Sequence, residues 1–253
     1  MLALEFPPIS HLIEWPDLIG SGPFAVNKVV LLMWLSVIVV FVFFMLAANK
    51  AKTSLVPSGA QNLAESVIDF VRNDIILQGI GPEGMRFLPF LATMFTFIFV
   101  NNIWGIIPVI QMPANGRMAI PLFLAVVVWF IYNIVGIANQ GFFGYFKNIL
   151  APPGVPKALL PLFAPIEFVS TILVRPFSLA VRLFANLLAG HLLLATFAVI
   201  AAALFESTYV GAVVPGAVLV ALTGFELLVA VLQAYIFTIL TAVFIGGAMH
   251  PEH

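Results

Sequence analysis

Two long apolar stretches near the C-terminus limit the possible folds more than any other feature of the sequence. The chain is almost unbroken apolar, helix-compatible sequence from Leu159 to Phe205 and again from Tyr209 to Met249. Helices of these lengths would be roughly 70 Å and 60 Å long, about twice the ~30 Å hydrocarbon core of a bilayer. Either each breaks at a proline (165, 176 or 215), or both lie strongly tilted as a hairpin that turns near residues 206–211. Because tilt usually stays below about 40°, a flatter hairpin needs another protein beside it.

The rest of the chain is also typical of a membrane protein. Of the 253 residues, 62% are hydrophobic and 8% charged, against about 25% charged in soluble domains. Three further spans are predicted at 29–48, 87–107 and 120–138, and a charged amphipathic helix at 58–78 is expected to lie at the interface. The predicted fold is an all-α polytopic membrane protein. It is a single membrane domain over 1–253, with about five transmembrane helices and one interfacial helix; the last two, 159–205 and 209–249, form the tilted hairpin.

The distribution of basic residues predicts the orientation. The first 28 residues are rich in proline and glycine and are expected to form an outer N-terminal segment. Residues 109–118 are predicted to form a short polar turn, and residues 139–160 a loop. Cytoplasmic loops carry an excess of lysine and arginine. One side carries two basic residues, Lys28 and Arg117; the other carries six, at positions 50, 52, 72, 86, 147 and 157. The side with six is therefore predicted to be cytoplasmic, with the N-terminus outside and the C-terminus inside.

Composition excludes several classes of function. The net charge of -1 gives no basic surface for nucleic acid, and the absence of cysteine excludes disulfides and thiolate chemistry. The sequence shows no metal-ligand spacing, no glycine-rich nucleotide motif and no nucleophile–base pair, so no cofactor or metal is expected.

Arg182 is the residue that most needs an explanation. A guanidinium does not lose its proton in an apolar environment, and at mid-bilayer it costs about 2.5–3.5 kcal/mol on insertion scales. No acidic residue lies between Glu167 and Glu206. Three interpretations remain: snorkelling to a headgroup, a structural salt bridge to a carboxylate such as Glu226, and a role in an ion pathway. The last is favoured because it is the default for an intramembrane ionisable group.

Four other polar residues accompany Arg182 in the two long segments. Asn186 follows it by four residues and shares its helix face, whereas His191 follows by nine and points to the opposite side. Glu226 and Gln233 are seven residues apart and return to nearly the same face of the second helix. A hairpin would bring the two sets together, and both His and Glu can exchange protons near physiological pH once their surroundings shift them. A hydrogen-bonding structural role for His191 and Glu226 is the alternative.

Two asparagines in the second span have a different interpretation. Asn101 and Asn102 lie near its predicted end. Intramembrane asparagines usually donate hydrogen bonds to neighbouring helices, so a structural role is favoured over a channel role.

These motifs resemble subunit a of the F-type rotary ATP synthases of bacteria. The stretch RPFSLAVRLFANLLAGH, from Arg175 to His191, is similar to the family's signature around its essential arginine. Glu226 followed after six residues by Gln-Ala-Tyr-Ile-Phe is similar to the C-terminal signature, and the 102–108 stretch fits the family's early span. The resemblance covers most of the chain from about residue 29.

The resemblance implies a proton-channel stator subunit of the membrane sector, not an enzyme by itself. Arg182 would face the rotating ring of subunit c, between two half-channels that couple proton translocation to ATP synthesis. His191 and Glu226 would be the paired polar positions of the outer half-channel, with Asn186 and Gln233 near the arginine. The implied partners are the subunit c ring, the b-type subunits of the peripheral stalk, the rest of the complex and the lipid bilayer; the implied location is the bacterial inner membrane.

Two rivals from other classes remain at this stage. A self-contained ion-coupled transporter would be expected to show internal repeats and discontinuous helices, and no repeat is found in the sequence. An assembly scaffold without a transport role is the other.

Overall fold

The computed structural model describes residues 17–20, 25–52, 58–107, 110, 114–151, 159–207 and 211–249. A short antiparallel pair, β1 (Asp17–Ile19) and β2 (Val26–Asn27), leads into α1 (Lys28–Ala51). The helix α2 (Ala60–Phe70) continues through a π-helical turn (Val71–Ile76) and a last α-turn (Leu77–Gly79). A 3₁₀ turn (Pro82–Phe87) opens α3 (Leu88–Ile103), and another (Ala114–Gly116) precedes α4 (Ala119–Gln140).

The remaining elements are also helical. They are α5 (Phe142–Leu150), α6 (Leu160–Val169), a π-helical turn (Ser170–Val174), α7 (Arg175–Ser207) and α8 (Val213–Met249). Five stretches in the described part are long and apolar enough to span a membrane: Lys28–Ala51, Pro82–Ile103, Ala119–Gln140, Leu160–Phe205 and Val213–Met249. The predicted all-α polytopic class is confirmed. The tilt of the last two helices stays a prediction, and the centre of their turn, 208–210, lies outside the described residues.

The first long apolar stretch stays helical through its internal prolines. Pro176 lacks an N–H and its ring would clash with the carbonyl four residues earlier, at position 172. The π-helical turn Ser170–Val174 lies at that position, and the wider turn relieves the clash without ending the helix. Of the two alternatives for residues 159–205, the structure therefore shows a continuous helix with a local π turn rather than a break at proline.

The chain packs as two compact units. The first comprises Met1–Val42, Phe97–Arg117 and Phe184–Ala234; the second comprises Phe43–Thr96, Met118–Leu183 and Tyr235–His253. In the second unit, Gly79 and Gly246 pack closely, since a Cβ on Gly246 would overlap the carbonyl oxygen of Gly79. This contact explains the glycine at position 246, because a side chain there would force α8 away from the helical turn at Gly79.

A buried polar network holds the first unit together. The Ser36 hydroxyl lies 3.1 Å from the Asn101 Oδ1, and the Trp104 indole N–H donates to the Ser36 Oγ at 2.7 Å. The Asn102 amide donates to the Ala230 carbonyl of α8 at 3.2 Å. Both asparagines therefore make the cross-helix hydrogen bonds that the sequence favours.

The structure adds detail to one predicted connecting segment and corrects another. Within residues 109–118, predicted to be a polar turn, Ala114–Gly116 form a 3₁₀ turn in which Asn115 is fully buried, and its amide donates to the Asn102 Oδ1 at 2.8 Å. Residues 139–160 read as a loop, yet α5 occupies 142–150, with Tyr145 and Ile149 buried on its inner face. Glycine at 141, with φ of 73°, makes the turn between α4 and α5.

The orientation can be tested with single cysteines, which are clean probes in a chain that has none. Asn115 is too buried to label, so Leu18, 58% exposed, serves for the N-terminal side and the exposed Lys147 for the opposite side. We expect an impermeant maleimide to label Leu18→Cys only from outside the cell and Lys147→Cys only from the cytoplasm, as the excess of basic residues predicts. Labelling of position 147 from outside would invert the predicted topology.

Candidate functional site

In the first unit, α7 and α8 lie side by side and form a partly open cavity of about 410 Å³. Three polar side chains, Asn186, Glu226 and Gln233, line this cavity. The remaining lining is apolar apart from one glycine: Leu187, Ala189, Gly190, Leu193, Leu194, Leu222, Phe225, Val229 and Leu232. A few polar groups in an apolar concavity are typical of a functional site.

Glu226 is the most unusual group in the cavity. Its side chain is 5% exposed, and neither carboxylate oxygen has a hydrogen-bond partner among the described residues. Burying an unpaired carboxylate is costly unless the group is protonated or meets a proton donor. The site therefore suits a group that takes up and releases a proton.

Gly190 lets the Glu226 carboxylate lie close to the α7 backbone. A Cβ at position 190 would lie 3.1 Å from the Glu226 Oε1, closer than ordinary van der Waals contact. The absence of a side chain lets the carboxylate approach the α7 backbone. The sequence gives little sign of this role, because Gly190 reads simply as one of several small residues that permit close helix packing.

Gln233 and the hydrogen bonds of Asn102 and Asn115 lie at the same segment of α8, around Ala230. Gln233 is 5% exposed and lies two helical turns after Glu226, with the buried Ala230 between them. The carbonyl of Ala230 accepts the hydrogen bond from Asn102, whose own oxygen accepts from Asn115. These two asparagines therefore fix the α8 backbone one turn from Glu226, and Asn115 is the residue that sequence reasoning missed.

The structure brings together only some of the predicted site residues. Asn186, although exposed, lines the cavity with Glu226 and Gln233. His191 is half-buried on α7 next to Gly190, but it is not one of the described residues that line the cavity. Since neither oxygen of Glu226 accepts a hydrogen bond within the described residues, the two groups are not directly bonded here.

Arg182 lies four residues before Asn186 on α7 and belongs to the second unit. Its side chain is exposed, and no hydrogen bond or ion pair holds its guanidinium among the described residues. Arg175 on the same helix differs, since it forms a 3.1 Å ion pair with Glu167 and lies over the Phe244 ring. The described part of the chain thus supplies no carboxylate to Arg182.

The two units offer different chemical groups, an acid in the first and a permanent cation in the second. The described residues contain no group of three His, Asp or Glu side chains able to hold a metal ion. They offer instead one buried carboxylate, polar amides around it and a guanidinium that stays charged at any physiological pH. Such intramembrane groups mark ion pathways and proton relays.

Comparison with known proteins identifies the family of the chain. The family model described as "ATP synthase A chain" matches residues 30–246. A protein of Frankia alni, "ATP synthase subunit a", is 46% identical over 244 residues, covering 95% of this chain and 84% of the relative. Proteins of the same name match from Parafrankia sp. (50% over 200 residues; 78% and 68% covered) and Rhodococcus erythropolis (42% over 243 residues; 93% and 86% covered). The family-model match over residues 30–246 and these identities over most of the chain show that the chain belongs to the ATP synthase subunit a family.

Proposed function

We propose that this chain is the proton-channel stator subunit of the membrane sector of a bacterial F-type ATP synthase. It would provide two half-channels where it meets the rotating ring of subunit c, and it would be held by b-type subunits of the peripheral stalk. The complex would lie in the bacterial inner membrane, with the N-terminus of this chain outside and the C-terminus in the cytoplasm.

The observation that supports this proposal most directly is the state of Arg182. Its exposed guanidinium has no carboxylate partner among the described residues, yet it lies on a helix long and apolar enough to span a membrane. An unpaired cation at such a position is costly, so its partner is expected on another chain. Carboxylates of the subunit c ring would meet that need in turn as the ring rotates.

The proposed proton path uses these polar groups in sequence. A proton entering from outside would pass His191 and Glu226 and neutralise a ring carboxylate, which can then face lipid. After rotation, Arg182 would favour the ionised carboxylate, and the proton would leave through the cytoplasmic half-channel. The membrane potential supplies about 2.3 kcal/mol per charge for each 100 mV.

Purification in mild detergent tests the assignment. We expect this chain to co-purify with a small hairpin proteolipid and with the catalytic subunits, identified by mass. The control is the same preparation after the proteolipid is removed, which should no longer couple proton flow to ATP synthesis. A chain that purifies alone and moves ions in vesicles by itself would instead be a self-contained transporter.

Gly190→Ala should reduce proton-driven ATP synthesis. A new Cβ would lie 3.1 Å from the Glu226 Oε1, so the carboxylate or the α7 backbone must shift by a few tenths of an ångström. Misplacement of a reacting group by about 1 Å can cost roughly 10²-fold, and we expect a smaller loss, of about three- to tenfold, from this shift. The measurement is the synthesis rate per assembled complex in membrane vesicles.

Gly216→Ala is the matched control, because a Cβ at position 216 of α8 meets nothing within 4 Å. This variant should keep the rate of the unmodified chain. Equal rates in both variants would show that the space at Gly190 is not needed for turnover.

A further inference from the structure

The helix α5 carries an exposed aromatic cluster that the proposed function does not use. Phe143 is 87% exposed, the largest value among the described large apolar side chains, and Phe142 is 58% exposed. The Phe142 ring contacts the Phe143 ring at 5.6 Å and the Phe146 ring at 5.0 Å between centroids. We call these three residues the phenyl cluster.

The opposite face of α5 packs against α4, which belongs to the same unit. The Tyr145 ring packs on Gly136 of α4, where any Cβ would overlap it, and its hydroxyl donates to the Asn133 Oδ1 at 3.0 Å. Burial raises the pKa of the Tyr145 hydroxyl above its ordinary value, so the hydroxyl stays a donor. The orientation of α5 is therefore fixed by α4.

A second link joins α5 to the end of α8. The Asn148 amide donates to the Gln140 Oε1 at 2.8 Å, and the Gln140 amide donates to the Ala248 carbonyl at 2.9 Å. Carbonyls in the last turn of a helix lack partners within that helix. The end of α8 is thus held by the turn between α4 and α5.

The position of α5 indicates what covers the phenyl cluster. Gly141 alone separates it from α4, and one residue extends at most about 3.6 Å. The helix α4 is long and apolar enough to span the membrane and exposes Phe123, Phe130 and Ile134. The phenyl cluster therefore begins where this lipid-facing surface ends, at the boundary between acyl chains and headgroups.

The charge of α5 also fits the boundary between acyl chains and headgroups. It has one basic residue, the exposed Lys147, and no acidic one. Aromatic rings at the acyl boundary with a lysine reaching the headgroups are typical of interfacial helices. We propose that α5 is a membrane-interface anchor, with the phenyl cluster inserted among lipid chains and Lys147 at anionic headgroups, and that it fixes the depth of the α8 end through Gln140.

Photo-crosslinking in native membranes tests the anchor with the complex intact. Benzoylphenylalanine replaces Phe143, the membranes are illuminated, and the chain is isolated and its mass measured. We expect the main adduct to carry the mass of one phospholipid. The same probe at Phe142 should give the same class of adduct.

Other outcomes would overturn the proposal. Adducts with another polypeptide would show that a protein subunit covers the phenyl cluster, and the absence of any adduct would show that the ring faces water. The variant Lys147→Gln, combined with the probe at 143, should lower the share of adducts with anionic phospholipids. An unchanged share would remove Lys147 from the anchor.

Discussion

Arg182→Ala is expected to abolish coupled ATP synthesis while the chain remains inserted and assembled. The guanidinium has no hydrogen bond or ion pair among the described residues, so its loss breaks no contact of the fold there. On the proposed function, nothing else would favour the ionised state of a ring carboxylate, and protonated carboxylates could then pass in the wrong direction. Synthesis should fall to the assay background, and passive proton leak through the vesicles should rise.

Two further variants test whether the effect is specific to the guanidinium of Arg182. Arg182→Lys keeps a charge but loses the planar fork that matches a carboxylate, so synthesis should remain strongly impaired. Arg175→Ala removes an equal charge seven residues earlier, from a half-exposed pair with Glu167 at 3.1 Å. Because this guanidinium has a partner within the chain, its loss should lower the amount of assembled complex, while most activity per assembled complex should survive. Synthesis at the unmodified rate in Arg182→Ala would refute the stator assignment.

The membrane class was predictable because it depends on length and apolarity alone. Each of the five long apolar stretches contains few charges, and no tertiary contact is needed to recognise them. The seven-residue spacing of Glu226 and Gln233 likewise placed both on one face of α8, and both line the cavity.

Features that depend on contacts distant in sequence were not predictable. Asn115 lies among proline, asparagine and glycine residues that are typical of an exposed turn, and only the hydrogen bond to Asn102 explains its burial. The helix α5 lies between Gly141 and the Pro152-Pro153 pair, which are typical of a loop. The Tyr145 ring of α5 packs against Gly136 of α4. Helix periodicity could not show that Gly190 lies against the Glu226 carboxylate.

Glu226→Gln is expected to slow proton-driven synthesis by roughly 10²-fold, the low end of what positioned proton-transfer groups contribute. The amide keeps the shape of a side chain that is 5% exposed in the cavity, but it does not titrate. The dependence of the rate on outside pH should therefore flatten. The measurement is synthesis per assembled complex in vesicles whose outer-face pH is varied.

Thr223→Val serves as the control for that change. The Thr223 hydroxyl lies one turn before Glu226 and already donates to the Leu219 carbonyl of its own helix at 2.8 Å. Replacing it alters a polar group on α8 without touching a proton-exchanging one. Its rate and pH profile should match those of the unmodified chain.

His191→Gln is expected to reproduce the effect of Glu226→Gln, and the double variant should be little worse than either. Groups that work as a unit give losses that are not additive, and both residues are proposed for one outer path although no direct hydrogen bond joins them here. If the two instead serve only as structural hydrogen-bonding groups, the substitutions should lower the amount of assembled complex and leave turnover per complex unchanged. Normalising the rate to assembled complex separates the two cases, and unaltered turnover with reduced assembly would remove both residues from the proton path.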